Sequence, residues 1–551
     1  LGANGWDVPG SINRRTDQWR FTAVRRRSES GKGTQGPPKS RHPFRRGDWT
    51  HRTATASPPI DMHDQMRRDK RSQIPAVSKI LDALGHSDLP RPFVVEIVRR
   101  KLSRIRANGA VPEFEAIVAH VRRSLDDLRA SRVQSVINGT GIVIHTNFGR
   151  APLPREAVDA LNEIGAGYSN LEYDLAKGER GGRGIYIENA LTLLCESEAA
   201  TVVNNCAAAL VLIVQHFTRK VGTARPPSSA KATGRKPGPP EVVISRGELV
   251  QIGGGFRISE IVAAATGAKL REVGATNKTT LEDYAQAIGA KTAMILKVHR
   301  SNFFMSGFVE SPSSNEISAL ARKNRIPFVE DLGSGAMIAT ESLGIAEHEP
   351  TPGDVLKSGA DLVCFSGDKL FGGPQAGIIA GKKRFVTAVK REPLFRALRC
   401  DKLCLVALQA TVDLHLNQRI GEIPTLTLLQ TSEDALRARA AAIASNLADL
   451  PMKIAIGRGR AKTGGGTLPK SNVPSVTIDF VPRDSSLVEF AASLRASNPP
   501  VIGYIADNRF KLDLSTIFPQ QDDLVINAIR VACSCHSERS EAKRNEVEES
   551  R

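Results

Sequence analysis

Three apolar runs in this chain end in residues that suit one kind of chemistry. "IPFVEDLGSGA" delivers Asp331, "DLVCFSGDK" delivers Ser366, Asp368 and Lys369, and "AATVVNNCAAALVLIV" delivers Asn204, Asn205 and Cys206 where an Ala/Leu-rich helical pattern begins. A lysine amine forms a Schiff base with a carbonyl compound, and a carboxylate keeps a pyridine nitrogen protonated so that the ring can take up carbanion charge. A helix N-terminus with a small hydroxyl nearby binds phosphate. Pyridoxal 5'-phosphate needs all three. Singly each signal is weak: a lysine at a strand end is more often a solvated cap, and Asp331 serves equally well as a turn residue before Gly333. Three such groups in this order within about 170 residues argue against coincidence. The "LFGGPQAG" that follows Lys369 adds glycines that let backbone pass close to a cofactor.

The elements needed to position these residues are legible in the pattern. "VVISRGE", "AMILKVHR", "IPFVEDLG", "DLVCFSGDK" and "AGIIAGKK" are short apolar runs separated by amphipathic segments such as "TLEDYAQAIGA" and "NEISALARKNR". Strands alternating with helices predict a mostly parallel sheet covered on both faces, an α/β fold whose ligands bind beyond the carboxyl ends of the strands. Beyond residue 408, a long helix over Ser432 to Leu450 and a few strands predict a smaller α+β domain. In residues 72 to 130, "PAVSKILDAL" and "FVVEIVRRKLSRIRANG" place apolar residues at helical spacing and collect Arg and Lys on the opposite face. The expected division is 1–66, a disordered or spurious extension with Met62 and Met66 as plausible starts; 67–133, a helical module; 134–408, the large domain; 409–532, the small domain; and 533–551, a disordered tail. Two stretches, 221–240 and "GRGRAKTGGG" at 457–466, read as Gly- and Lys-rich surface insertions.

Composition narrows the function class. The 551 residues are 41% hydrophobic with no apolar run long enough to span a bilayer, and the Arg-rich start lacks the apolar segment of a secretory signal. The expected compartment is the cytoplasm. Seven cysteines without a CxxC pair exclude a disulfide scaffold; Cys400 and Cys404, one helical turn apart, are read as buried thiols and no metal is expected. The net charge of +18 favours a polyanionic partner such as nucleic acid, although residues 1–70 supply +8 of it.

Longer stretches carry a family likeness. "INGTGIVIHTNFGRAPL", "YSNLEYDLAKGERGGRG", "SRGELVQIGGGFRISEI", "GATNKTTLEDY", "EDLGSGA" and "SGDKLFGGPQAG" closely resemble bacterial selenocysteine synthase, the L-seryl-tRNA(Sec) selenium transferase family, over roughly residues 72 to 530. The resemblance implies an aspartate aminotransferase-like, fold type I enzyme that uses pyridoxal phosphate and selenophosphate to convert seryl-tRNA(Sec) to selenocysteinyl-tRNA(Sec) through an aminoacrylyl-tRNA. It makes Lys369 the internal aldimine lysine and Asp331 the pyridinium partner, with Ser366, Asn205 and Cys206 at the phosphate. His299 is implied at the cofactor ring face or in substrate positioning. Arg150, Arg396 and Arg399 are implied for selenophosphate, the last two facing one way if they share a helix. Either the freed Lys369 amine or Asp368 takes the α-proton. Residues 72–130 match the family's tRNA-reading domain, and a ring of dimers, a decamer, is the implied assembly. Two departures stand out: Cys206 and Arg300 replace the family's usual Asn and Thr. The alternatives are a related pyridoxal phosphate enzyme acting on a free amino acid or amino sugar, and a nucleic-acid-binding protein on an inactive enzyme fold.

Overall fold

The computed structural model describes residues 74–108, 110–223, 238–252 and 255–534. The expectations for 1–66, for most of 221–240 and for the tail beyond residue 534 lie outside them. The chain divides into two compact units, Leu1–Arg132 and Val133–Arg551.

The first unit is built on helices α1 (Val77–Leu84), α2 (Arg91–Asn108) and α3 (Phe114–Ala130). Val94, Val98, Leu102 and Ile105 on α2 and Ile117, Val121 and Leu125 on α3 recur every three or four residues and are buried together. Arg99, Arg100, Arg104, Arg122 and Arg123 fall on the opposite faces and are exposed. Arg129 (2.7 Å) and Arg132 (3.1 Å) both pair with Asp88, tying the end of α3 to the turn before α2.

Apart from two small pairings, Tyr173–Asp174 with Glu179–Arg180 and Gln251–Ile252 with Phe256–Arg257, the strands of the second unit begin with β1 (Ile137–Asn138), β2 (Ile142–Ile144), β3 (Ala199–Val203), β4 (Glu241–Ser245), β5 (Lys269–Val273), β6 (Thr292–Val298) and β7 (Phe328–Gly333). They continue with β8 (Leu362–Ser366), β9 (Gly377–Gly381), β10 (Met452–Gly464), β11 (Val473–Pro482), β12 (Val501–Ile502), β13 (Tyr504–Ala506) and β14 (Arg509–Asp513). The principal sheet has the order β3-β9-β8-β7-β6-β4-β5. Its pairings are parallel except those of β9, which runs against both neighbours. Both faces are dry. Val243, Ile295, Phe328, Val363 and Ile378 pack on one side, while Val242, Ile244, Met294, Leu296, Val329 and Ile379 pack on the other. Strands buried on both faces need continuous apolar runs, which is the texture the sequence shows. Helix α4 (Cys206–Thr223) supplies Leu210, Ile213 and Val214 to the second layer.

A five-stranded sheet of order β13-β14-β11-β10-β2 forms the smaller domain, with a core centred on Phe480, Phe490 and Phe510. Two features differ from the sequence reading. Residues 457–466 are not a surface insertion: Gly457 to Gly464 form the second half of β10, paired with β11 up to Ala461 and with β2 beyond it. Arg458, Arg460 and Lys462 project outward, while Gly457 and Gly459 face inward, where a Cβ would lie 2.6 Å from Thr477 Oγ1 and 2.7 Å from Asp513 Oδ2. Close packing against β11 and β14 therefore explains glycines that resemble loop residues. Second, Ile137 to Ile144, expected in the large domain, pair with β12 and β10 of the small one.

Candidate active site

The three middle strands of the principal sheet bring the chemistry together. His299 follows β6 directly, Asp331 lies within β7, and Lys369 comes three residues beyond β8. The His299 N–H donates to the Asp331 carbonyl (2.8 Å), so the two strand ends are fixed to each other. The loop carrying Lys369 is closed by its own backbone: Gly367 N–H donates to Ala376 O (2.9 Å), Gly373 N–H to Gly367 O (2.8 Å) and Leu370 N–H to Ser334 O (3.0 Å). Gly335, at φ +70°, sits where a Cβ would be 2.6 Å from Ser366 O. Only glycine allows β7 and β8 to turn this close together. Lys369 is thus an amine on a rigid mount.

Lys369, Asp331, His299 and Arg150 line one cavity of about 250 Å³, completed by Ser301, Asn302, Gly465 and Gly466 among others. Asp331 is only 7% exposed. Burial raises its pKa; the charge of Lys369 and hydrogen bonds from the Cys206 and Cys364 thiols oppose that shift without cancelling it. Cys206 Sγ stands 3.5 Å from Asp331 Oδ1, and Cys364 is the register partner of Asp331 on β8. The three ligating atoms lie within 4.8 Å of one another. No fourth His, Cys, Asp or Glu joins them among the described residues.

These residues fit the cofactor expected from the sequence. Asp331 is a buried carboxylate whose hydrogen-bond donors are two weak thiols and the Gly333 N–H, and a protonated ring nitrogen would give it a charged partner. At the start of α4, Asn205 Oδ1 accepts from the Ala208 N–H (2.8 Å) and leaves earlier helix N–H groups for an anion. Gly377 lies against this turn so closely that a Cβ would be 2.1 Å from Asn205 O, and its register partner is Ser366. Ser366 is thereby held beside the helix start. Asn205, Cys206 and Ser366 do not line the 250 Å³ cavity itself.

Known proteins match most of this chain. The profile described as L-seryl-tRNA selenium transferase matches residues 136–518. The chain belongs to the L-seryl-tRNA selenium transferase family. A relative from Geotalea daltonii, named L-seryl-tRNA(Sec) selenium transferase, is 42% identical over 461 residues, covering 81% of this chain and 95% of its own. The protein of the same name from Aquifex aeolicus is 40% identical over 450 residues, with coverage of 81% and 95%. Among solved structures, a D-glucosaminate-6-phosphate ammonia-lyase superposes with a TM-score of 0.51 at 19% identity, covering 74% of this chain and 97% of that one. That likeness speaks to fold alone, and with the strand order above it agrees with the α/β, aminotransferase-like fold type I architecture expected from the sequence.

The remaining residues expected of a selenium transferase site are placed less simply. Arg150 lines the cavity at φ +68°, and its Nη1 is 2.5 Å from Asp368 Oδ2. Asp368 is buried beneath that contact and outside the cavity lining; its Oδ2 is paired with Arg150, while its Oδ1 has no hydrogen-bond partner among the described residues. Removing the guanidinium would leave a buried, unpaired carboxylate. Arg150→Ala is therefore expected to lower stability by about 1–3 kcal/mol, measured by urea unfolding, with Arg150→Lys intermediate. Arg396 and Arg399 do not share a helical face. The helix that carries Arg396 (α5, Pro393–Ala397) ends before Arg399. Arg396 is exposed, and Arg399 lines a separate cavity of about 220 Å³ beside Arg183 and Cys400, with Nη1 3.6 Å from Glu172. The segment is nonetheless tied to the α4 start, because the Asn204 N–H donates to Leu398 O (2.9 Å).

Sequence reasoning missed Gly465 and Gly466 in the cavity wall, and Glu349, whose Oε1 lies 3.3 Å from His299 Nε2. The two glycines, at φ +61° and +71°, follow β10 into the cavity wall. The Gly-x-Gly-x-Ala alternation before them was the available signal. Glu349 sits in a loop without periodicity, and nothing in its neighbourhood marked it.

Proposed function

We propose that the cavity around Lys369 is where this selenium transferase converts L-seryl-tRNA(Sec) to L-selenocysteinyl-tRNA(Sec) with selenophosphate. One observation carries the reading. A lysine amine, a buried carboxylate, a histidine and an arginine converge at the carboxyl ends of adjacent strands, in a chain of this family. Pyridoxal phosphate, when bound, supplies the electron sink for loss of the α-proton and the β-hydroxyl. Lys369 would hold it covalently, Asp331 would hold its ring nitrogen protonated, and the α4 N-terminus with Asn205, Cys206 and Ser366 would hold its phosphate. The Lys369 amine, which lines the same cavity, would take the α-proton. Asp368 serves instead to fix Arg150, whose guanidinium offers an anion paired donors at the cavity wall.

Arg396 and Arg399 are assigned to selenophosphate in a neighbouring subunit's cavity, since neither lines the cavity of its own chain. A homo-oligomer follows from that assignment, and a ring of dimers with ten chains is the form that the family resemblance implies. The fully exposed side chains of Tyr168 and Phe308, with Leu175 and Leu193 largely exposed, are in keeping with surface that other copies cover. The first unit, with its arginine face, is assigned to seryl-tRNA(Sec) through backbone and shape contacts. Among the described residues no helix is long and apolar enough to cross a membrane. The cytoplasm is the proposed compartment.

The test is selenophosphate-dependent conversion of seryl-tRNA(Sec), with free serine as the control for the alternative of a free amino acid substrate. Deleting residues 1–66 should leave tRNA binding unchanged, whereas deleting through residue 130 should remove it. Equal binding by the two truncations would overturn the role of the first unit.

A further inference from the structure

His299 stands between two cavities. It shares the 250 Å³ cavity with Lys369 and Asp331, and it also lines an outer cavity of about 560 Å³ with Glu349, Glu330, Lys297 and Arg300. Its Nε2 lies 3.3 Å from Glu349 Oε1, and that carboxylate is 2% exposed against 26% for the imidazole. Among the described residues Glu349 Oε1 makes no hydrogen bond, and its 3.3 Å approach to His299 Nε2 is an ion-pair contact. The loop holding Glu349 is locked: its N–H donates to Thr340 Oγ1 (3.2 Å), which donates to Glu347 O (2.6 Å). A carboxylate this deeply buried is costly unless it is paired with a cation. With Nε2 turned to Glu349, Nδ1 is the nitrogen left for a substrate.

We propose that Glu349 is a positioning residue that keeps His299 charged and oriented, and that His299 gives its proton to the β-hydroxyl of the seryl group as that group departs. The inference rests on the function proposed above. In the step, the Cα–H electron pair closes the Cα=Cβ bond and the α-proton goes to the Lys369 amine. The Cβ–O bond breaks toward oxygen, and the imidazolium N–H proton completes a molecule of water, leaving neutral imidazole. Hydroxide is a poor leaving group, so a donor at this point has a large effect. Around His299, burial lowers its pKa and so does the charge of Lys297, but the adjacent Glu349 carboxylate and the charge of Glu330 outweigh both and raise it. Lys369, Asp331 and Arg150 face it across the inner cavity, and Arg300 lies at the outer one.

The experiment compares Glu349→Gln with wild type in three readouts. First, kcat for seryl-tRNA(Sec) falls about 100-fold while KM stays within about twofold. Second, a β-chloroalanyl-tRNA(Sec), whose chloride leaves without a proton, is turned over at close to the wild-type rate. Third, in the cofactor-free protein the NMR titration of the His299 ring moves to lower pH. Unchanged kcat, an equal loss with both aminoacyl groups, or an unmoved titration would each overturn the pairing. Failure of the wild-type protein to convert seryl-tRNA(Sec) at all would instead overturn the function, and the titration would still judge the pair.

Discussion

Lys369→Ala is expected to abolish the visible absorption of lysine-bound pyridoxal phosphate and to lower conversion of seryl-tRNA(Sec) by about four orders of magnitude or more. The loop around Lys369 is held by backbone hydrogen bonds from Gly367, Leu370 and Gly373, none of which uses the lysine side chain. Removing the amine therefore takes away the chemistry and leaves the mount. Global stability should change by no more than about 1 kcal/mol. A visible band that survives the substitution would sink the assignment of the lysine. A variant that loses the band only because it unfolds would be recognised by its denaturation curve, which separates lost chemistry from lost structure.

Asp331→Asn is expected to lower conversion by about 10²- to 10³-fold while keeping the cofactor attached. The amide matches the carboxylate in size but cannot hold a pyridinium charge, so the loss falls on ring protonation rather than on packing. Its effect on the cofactor-free protein has the opposite sense. The folded-state pKa of Asp331 is raised above its unfolded value, chiefly by burial. The folded state then binds more protons than the unfolded chain. Stability falls as pH rises from the unfolded carboxylate value, about 3.9, through the higher folded one. The asparagine variant should lack that decline, so its stability relative to wild type rises across the same window. Urea midpoints measured through the acid range check the sign; a wild-type advantage that grows with pH would contradict the burial argument.

The activity loss from Lys369→Ala exceeds that from Asp331→Asn because one change removes the covalent attachment and the other only weakens the electron sink. Both residues were legible in the amino-acid sequence for the same reason. A parallel sheet buried on both faces must be written as unbroken apolar runs, and polar residues at the ends of "IPFVEDLG" and "DLVCFSGDK" stand out against them. The three helices of the first unit were legible from their 3.6-residue periodicity. Residues 457–464 were not, because Gly457 and Gly459 exist to admit Thr477 and Asp513, side chains distant in sequence. A composition-based reading assigns such glycines to a loop.

The sequence by itself determined the α/β layering, the strand ends that carry Asp331 and Lys369, the helix start at Cys206 and, through extended motif likeness, the family. These depend on periodicity and on local turn chemistry, which are written residue by residue. Only the tertiary structure decided which polar groups spend their charge on each other. It paired Asp368 with Arg150, put Cys206 and Cys364 against Asp331, separated Arg396 from Arg399, and set Glu349 behind His299. The contacts of Asp368, Asp331 and His299 join elements remote in sequence, and their energies depend on burial and distance, quantities that exist only once the chain has folded.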